Sequence, residues 1–586
     1  MCGIAGIFEY QQNKPIDRDA LMRMNTHMRS RGPDGHDLWL QKTRFIGLAH
    51  RRLSIIDLSD NAAQPMHDNG YVITFNGEIY NYRHLREQLI QQGEHFKTQS
   101  DTEVLLKLYR VHGEAMLTQL RGMFAFAIWD EKNQTLFCAR DHFGIKPFYY
   151  SNNGHCFQFA SQVKALLQGD VSQINTATDA AGTTGFYLLG SVPEPFTLYQ
   201  GIRALPAGHF LKVSQEKVVC HVFYSIKEAF ISAENIYADS NKKTTRLGVG
   251  GSLRAALYDT VKHHLIADVD VGLFLSAGID SSVLTSVASE ITHKKLHTIT
   301  LGFREYQHTE KDETILAQQV ALLYQTQHQT QWIDKAFAQA QFDHIQQSMD
   351  QPSIDGINTY FVSLAAAKSG MKVALSGLGA DEIFAGYPLF SRIPTLLRFT
   401  KPLSRTGKLW RRLLQTTLSA KKASVFEYGG DITQSYFLSR AIFLPWELEN
   451  KLDSDLLTTG LTELNLFERL KESVAGIQST RFQISALEMQ WYMRNQLLRD
   501  TDWASMAHSL EVRVPFVDVD FFENSIMLQT ASKQDLANAV NHSLPITVTN
   551  RKKTGFNIPM RQWFADGQNQ DDAKNWSNFI WSIYGK

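Results

Sequence analysis

Short runs of alternating or continuous apolar residues, each closed by turn formers, fill the first two hundred positions of the chain. Residues 3–8, 71–75 before Asn76-Gly77, 123–129 before Asp130 and 135–139 before Arg140-Asp141 predict strands of a β-rich domain. A helical stretch interrupts them at 102–109, where Val104, Leu105 and Leu108 fall on one face. From about Ser225 the chain turns polar and ends in Gly248-Val249-Gly250-Gly251, which predicts a linker. The glycines have no strand before them, so they make a poor dinucleotide loop. Beyond this point the period changes. A helix over 252–265 carries Leu253, Leu257, Val261 and Leu265 on one side. Strands are expected at 271–275, 296–301 and 373–375, with helices at 282–291, 312–324 and 357–368. Alternating strands and helices predict a parallel sheet covered on both faces, and the final two hundred or so residues read as mostly helical. The expected fold class is α/β, divided into domains over 2–210 and 251–586 with a linker over 211–250.

Composition narrows the function classes. At 586 residues one core is implausible. Lys+Arg and Asp+Glu both number 59, so no global field favours nucleic acid, and none is expected as a partner. Four cysteines (Cys2, Cys138, Cys156, Cys220) are too scattered for a disulfide framework. No Cys-x-x-Cys or His-Glu-x-x-His spacing suggests zinc. The amino terminus lacks a basic-then-apolar leader and no run of about 18 uncharged apolar residues occurs. A cytoplasmic protein without an integral membrane segment is the expectation.

Candidate chemistry begins at Cys2, directly behind the initiator. Trimming Met1 would leave a thiol and a free α-amine on one residue, and an amine titrating near ~8 can accept the thiol's proton. Arg52, in Arg52-Leu53-Ser54-Ile55-Ile56, offers a fork suited to a carboxylate. Asn76-Gly77-Glu78 follows a strand, and a side-chain amide beside a glycine N–H makes a two-donor oxyanion hole. Asp101 could hold an ammonium group. Each has a plainer reading: Asn76-Gly77 is also a hairpin turn, and Ser100 or Asp101 could cap the following helix. Together they describe glutamine and its side-chain amide.

Two strand-loop-helix units stand in the second half. Ser276-Ala277-Gly278-Ile279-Asp280-Ser281-Ser282 is a small-residue loop whose N–H groups can converge on an anion at a helix start. Asp280 would repel phosphate, so it reads as a ligand of Mg²⁺ bridging carboxylate and pyrophosphate. Ser376-Gly377-Leu378-Gly379-Ala380-Asp381-Glu382 repeats the design and offers Asp381 as a second metal ligand.

These segments, with Arg31-Gly32-Pro33-Asp34, His50-Arg51-Arg52-Leu53-Ser54-Ile55, Phe75-Asn76-Gly77-Glu78-Ile79-Tyr80-Asn81 and Ser505-Met506-Ala507-His508-Ser509-Leu510-Glu511-Val512-Arg513, resemble the glutamine-hydrolysing asparagine synthetase family. The resemblance implies an N-terminal-nucleophile αββα sandwich, a class II glutamine amidotransferase domain, joined to an ATP-pyrophosphatase domain. It implies Cys2 as nucleophile, Asn76 and Gly77 as the oxyanion hole, and a glutamine pocket of Arg52, Leu53, Ser54, Ile55, Ile56, Asn76, Gly77, Glu78 and Asp101. ATP would meet Phe274, Ser276, Ala277, Gly278, Asp280, Ser281, Leu301, Ser376 and Gly377, and Lys553 in Arg551-Lys552-Lys553 would be the catalytic lysine. The implied substrates are glutamine, ATP and a carboxylate acceptor, by default aspartate; the alternatives are a sugar acid or cell-envelope precursor as acceptor, or a glutamine- and nucleotide-binding scaffold that synthesises nothing, and a homodimer is one assembly this allows. Three positions depart from the family pattern. Ala277 replaces a loop glycine, and Leu378 stands where dedicated asparagine synthetases often carry a glutamate. Trp503 stands before Ala504-Ser505-Met506, where relatives commonly carry a basic residue. Between Glu382 and Glu427 the chain has nine basic residues and no acidic one. That segment reads as a solvated face, as a basic lid, or as a dock for an anionic membrane surface.

Overall fold

The computed structural model describes residues 2–11, 14–239, 246–292, 294–551, 559, 563 and 572–584. Its first two hundred or so residues form two six-stranded antiparallel sheets. One runs, in spatial order, Arg203–Ala204, Tyr149–Asn152, Cys156–Ala160, Gly3–Glu9, Ile46–Arg52 and Gly35–Leu40. The other runs Val218–Val222, His209–Val213, Thr135–Arg140, Gly122–Asp130, Tyr71–Ile79 and Met66–Asp68. The strand period of two decides the layering. On Gly3–Glu9, Ile4 and Phe8 point between the sheets and pack with Val72, Trp129 and Phe159. Ala5 and Ile7 point the other way and pack under Leu21 and Met24 of the helix Arg18–His27. On the second sheet, Phe75 and Phe124 face the helices Tyr82–Gln91 and Asp101–His112. The result is an α-β-β-α stack whose strands are apolar on both faces. Gly6 sits between the sheets because a Cβ there would lie 2.2 Å from the Phe159 ring.

The second sheet system is parallel, in the order Gln327–Ile333, His297–Phe303, Val271–Phe274, Val373–Leu375, Glu511–Arg513. In chain order this is 3-2-1-4-5, so the winding reverses between Val271–Phe274 and Val373–Leu375. Ligands of doubly wound sheets bind at such a reversal, off the carboxyl ends of the strands. Both small-residue loops leave the sheet there.

Several expectations need correcting. The segment 211–250, expected as a linker, carries regular structure: His209–Val213 and Val218–Val222 close the second sandwich sheet, and the helices Ile226–Asp239 and Arg246–His264 follow. The glycine cluster 248–251 lies inside the latter helix. Two strands of the parallel sheet escaped the sequence reading. Gln327–Ile333 is a half-exposed edge of polar composition, and Glu511–Arg513 is three residues long with two charged side chains, both buried by ion pairing. Between the helices Thr480–Leu487 and Arg499–Met506, residues Glu488–Leu498 form a wide helix with hydrogen bonds spanning five residues.

Candidate functional site

The strand Tyr71–Ile79 runs straight through Asn76 and Gly77, paired with Gly122–Asp130, so the hairpin reading falls. Asn76 is wholly buried and its Oδ1 accepts from the Cys2 backbone N–H at 2.9 Å. Its Nδ2 has no hydrogen-bond partner among the described residues. A buried, unsatisfied amide donor beside a thiol is costly unless a ligand atom completes it. Gly77 has φ +156, and a Cβ there would stand 2.1 Å from the Met123 carbonyl. No other residue fits. Burial pushes the Cys2 thiol above its usual value, with the chain's amino-terminal charge pulling the other way.

Around this pair, Ser100 caps the helix Asp101–His112 by accepting from the Thr102 N–H at 3.1 Å. That leaves the Asp101 carboxylate to accept from the Ile79 N–H at 3.0 Å, and burial pushes its pKa up to about 6. Arg52 donates to the carbonyls of Ser59, at 2.8 Å, and Asp57. Leu53 and Ile55 turn their side chains onto Val373 and Met506 of the second domain, while the Ser54 N–H donates to Asp34; Ile56 packs at the edge of the same cluster. Glu78 is buried, which raises its pKa well above the ordinary range, and lies 3.4 Å from Arg513. Arg513 also holds Glu511 at 2.6 Å. Burial works against the Glu511 charge, yet the amino-terminal charge, Arg513 and Lys146 keep its pKa at about 2. The second domain thus supplies part of the electrostatic floor under Cys2.

A residue that the sequence reading left without a role ties the two halves together. Arg31, fully buried, donates its Nε to the Cys2 carbonyl at 3.0 Å and grips Asp502 with two bonds of 2.7 and 2.9 Å. Asp502 lies on the helix Arg499–Met506, whose Asp500 accepts from Ser353 and from the Trp503 indole. Asp355, beside Asp500, lines the second site.

That second site is a cavity of about 990 Å³ at the winding reversal. Phe274, Ser276, Ala277, Gly278, Asp280 and Ser281 line it from the first loop, Leu301 from the neighbouring strand, and Ser376, Gly377 and Asp381 from the second loop. The helix Ile279–Ile291 starts here with Gly278 as an N-cap that offers no side-chain bond, so its first N–H groups are left for a ligand. Ser276 and Ser281 brace the loop by their hydroxyls at 2.9 Å. Gly377 lets the loops meet: a Cβ there would lie 2.9 Å from the Asp280 Cβ. Ala277 is not among the residues with positive φ, so the alanine carries no backbone cost.

Asp280 and Asp381 converge on one ammonium group, that of Lys533, which contacts Asp280 and lies 2.9 Å from Asp381. Sequence reading missed Lys533, because Ser532-Lys533-Gln534-Asp535 shows only an ordinary capping box. Lys553 lies outside the described residues. Two carboxylates are a donor set that Mg²⁺ accepts together with substrate phosphates, so the pair fits that ion. Among the described residues, no cluster of three or more His, Cys, Asp or Glu forms a protein-only metal cage. Leu378 lines the cavity too, and so does Glu382, whose pKa burial and Asp381 raise to about 7 and whose Oε1 accepts from the Tyr387 hydroxyl at 2.9 Å. The wide helix presents Trp491, Tyr492, Gln496 and Leu497 to the same space. Residues five apart would diverge by about 140° on an α-helix; the wider turn brings 491 with 496 and 492 with 497 onto one face.

Comparison with known proteins finds two family profiles and several relatives. A family profile described as a glutamine amidotransferase domain matches residues 1–224, and one described as asparagine synthase matches residues 252–578. Among relatives, the glutamine-hydrolyzing asparagine synthetase 1 of Bacillus subtilis (strain 168) is 32% identical, covering 97% of this chain and 89% of its own. Asparagine synthetase 3 of the same organism is 30% identical over 95% and 87%. The amidase chry2 of Gibberella zeae is 25% identical over 83% and 75%. A solved structure titled as the allosteric regulatory enzyme of purine biosynthesis aligns over 57% of this chain and 80% of its own, at a TM-score of 0.30 and 16% identity.

Proposed function

We propose, for a chain that belongs to the family of glutamine-hydrolysing asparagine synthetases, that Cys2 releases ammonia from glutamine and that the 990 Å³ cavity joins it to an adenylated carboxylate, by default aspartate. The observation that carries this reading is the buried Asn76 amide N–H group that lacks a partner beside Cys2, a donor that a tetrahedral oxyanion would satisfy. The thiol attacks the glutamine amide carbon, the Cys2 α-amine takes the thiol proton and passes it to the departing ammonia, and water then frees glutamate from the thioester. Arg52 would hold the substrate carboxylate and Asp101 its ammonium.

In the cavity, the 276–282 loop and the start of Ile279–Ile291 would cradle the ATP phosphates, with Gly377 and Ser376 opposite. Mg²⁺ held by Asp280 and Asp381 would neutralise charge on the phosphates. Lys533 meets the same charge as the acceptor carboxylate displaces pyrophosphate from the α-phosphate. Ammonia then attacks the acyl carbon and AMP leaves, giving the amide. Both domains meet at Arg31–Asp502, and ammonia delivered within the protein escapes protonation in bulk water.

A second acceptor has its own support. Leu378 puts a leucine on the cavity wall, and about 990 Å³ lies at the upper end of small-molecule sites. That combination favours a larger carboxylate such as a sugar acid or cell-envelope precursor. Incubating enzyme with ATP, glutamine and aspartate, and measuring asparagine with AMP, separates the two. Stoichiometric asparagine establishes aspartate, whereas AMP appearing only with a larger acid establishes the second reading. No glutamine-dependent AMP with any carboxylate removes both.

A further inference from the structure

The basic segment after Glu382, apart from Lys421 on the cavity wall, remains unused by either site. It folds as the helix Leu389–Thr400, a tight 3₁₀ segment Lys401–Thr406 and the helix Gly407–Leu414. The last of these is inverted relative to an ordinary surface helix. Its inner edge is Gly407, where a Cβ would lie 2.4 Å from the Glu427 Cα, and Arg411, which pairs with Glu427 at 2.6 Å. Facing out are Leu409, 59% exposed, and Leu413, 61% exposed, with Trp410 beside them. At 3.6 residues per turn these three span an arc of about 100°. Lys408 and Arg412 are exposed along one flank of it. Phe399, 71% exposed, and Leu403 add to the apolar outside, and Arg392, Arg398, Lys401, Arg405 and Lys422 stand exposed around it.

Apolar side chains scattered singly on a surface need no explanation, but an i, i+4 pair turned outward while a cation turns inward does. The chain as a whole is neutral, so this concentration of cations is local and not a reflection of bulk charge. A symmetric contact with a second copy would set those cations against each other. An anionic bilayer answers both halves of the pattern: its headgroups meet the cations and its acyl boundary takes the leucines and aromatics. Among the described residues no helix is long and apolar enough to cross a membrane, so the attachment is peripheral. Tyr387 and Lys421, which line the synthetic cavity, stand just before and after the helices of this segment. Docking would therefore bring that cavity beside the lipid surface.

We propose that residues 389–418 form a peripheral docking surface that inserts Phe399, Leu409, Trp410 and Leu413 into the interface of a bilayer rich in anionic lipid. The proposal stands on the surface alone and does not depend on which acid is amidated. Flotation of the full-length protein with vesicles of equal parts phosphatidylglycerol and phosphatidylcholine tests it, against vesicles of phosphatidylcholine only. The protein should float with the first and not the second, and high salt should release it. Leu409→Ser with Leu413→Ser should lower binding at least about tenfold, and Lys408→Gln with Arg412→Gln by about fivefold per cation removed. All of these variants should keep the parent glutaminase rate and melting temperature, since the side chains touch neither site. Absence of flotation by the parent protein overturns the proposal, as does binding that both double variants retain. Light scattering that finds a parent oligomer and a monomeric Leu409→Ser, Leu413→Ser variant would make the surface a subunit interface and overturn it equally.

Discussion

At the scale of single residues, Asn76 carries the most specific expectation. Its Oδ1 already serves Cys2, so only Nδ2 is left for a developing oxyanion. Asn76→Ala should lower kcat for glutamine hydrolysis by about 10²–10³-fold. Ammonia-driven AMP formation at the other site should be unchanged, which a paired assay checks. Asp101 makes a pH prediction. Its folded pKa of about 6 lies above the ordinary carboxyl value, so the folded state binds the proton more tightly between about pH 4 and 6. Pairing with an ammonium requires the ionised form. The KM for glutamine should then rise about tenfold per unit as pH falls below about 6, with kcat moving less. The same sign means that Asp101 weakens the fold as pH rises through this window, and a neutral Asp101→Asn should melt higher than the parent at pH 7 while binding glutamine poorly. That Asn76 meets Cys2, that Asp101 turns toward Ile79 and that Asp280 meets Asp381 could be anticipated from the sequence, because each sits in a short motif with a chemical reason. The contacts of Lys533 and Arg31 could not, since a lysine after a capping serine and an arginine before Gly-Pro have many ordinary explanations.

At the scale of elements, the strands with two apolar faces and the loops leaving the parallel sheet were readable from period alone. Gln327–Ile333 was not: its pairing with His297–Phe303 comes from backbone bonds at an edge where side chains stay half in water. The wide helix Glu488–Leu498 was equally hidden, because a five-residue repeat has no signature against the 3.6 background. Backbone approach makes a prediction here. Gly386 follows the short helix Ala380–Ile383, and a Cβ on it would lie 1.9 Å from the Asp381 Oδ1 and 2.7 Å from the Lys533 Cε. Gly386→Ala must therefore spread the Asp381–Lys533 contact. Glutamine-dependent pyrophosphate release should fall at least about tenfold for a displacement of this size, on the scale known for misplaced reacting groups. Glutaminase activity and the melting temperature should stay near the parent's; a rate unchanged in both halves would show that the two groups do not act at the fixed distance seen.

Across the whole molecule, what no motif could disclose is how the halves are locked. Arg121 of the sandwich reaches Asp518 at 2.9 Å and Asp259 at 2.6 Å, and Lys372 reaches Asp34 at 2.7 Å. These are side-chain meetings between positions more than a hundred residues apart, which only the folded chain brings together. Arg31–Asp502 differs from the rest in touching the nucleophile as well. A buried arginine whose carboxylate is removed keeps its charge without a partner, which costs about 3–5 kcal/mol. Asp502→Asn preserves the shape and one acceptor oxygen, so the loss should lie at or below the low end of that range and appear as a drop in melting temperature of a few degrees. Function should suffer more selectively than stability. With its grip on Asp502 weakened, Arg31 no longer fixes the Cys2 carbonyl, and glutamine hydrolysis should slow while ammonia-driven AMP formation persists, since Asp280, Asp381 and Lys533 stand on other elements. Measuring both rates on one preparation decides the matter: an equal loss in both would mean that the pair holds the domains together, and a loss confined to glutamine would mean that the second domain positions the first domain's nucleophile.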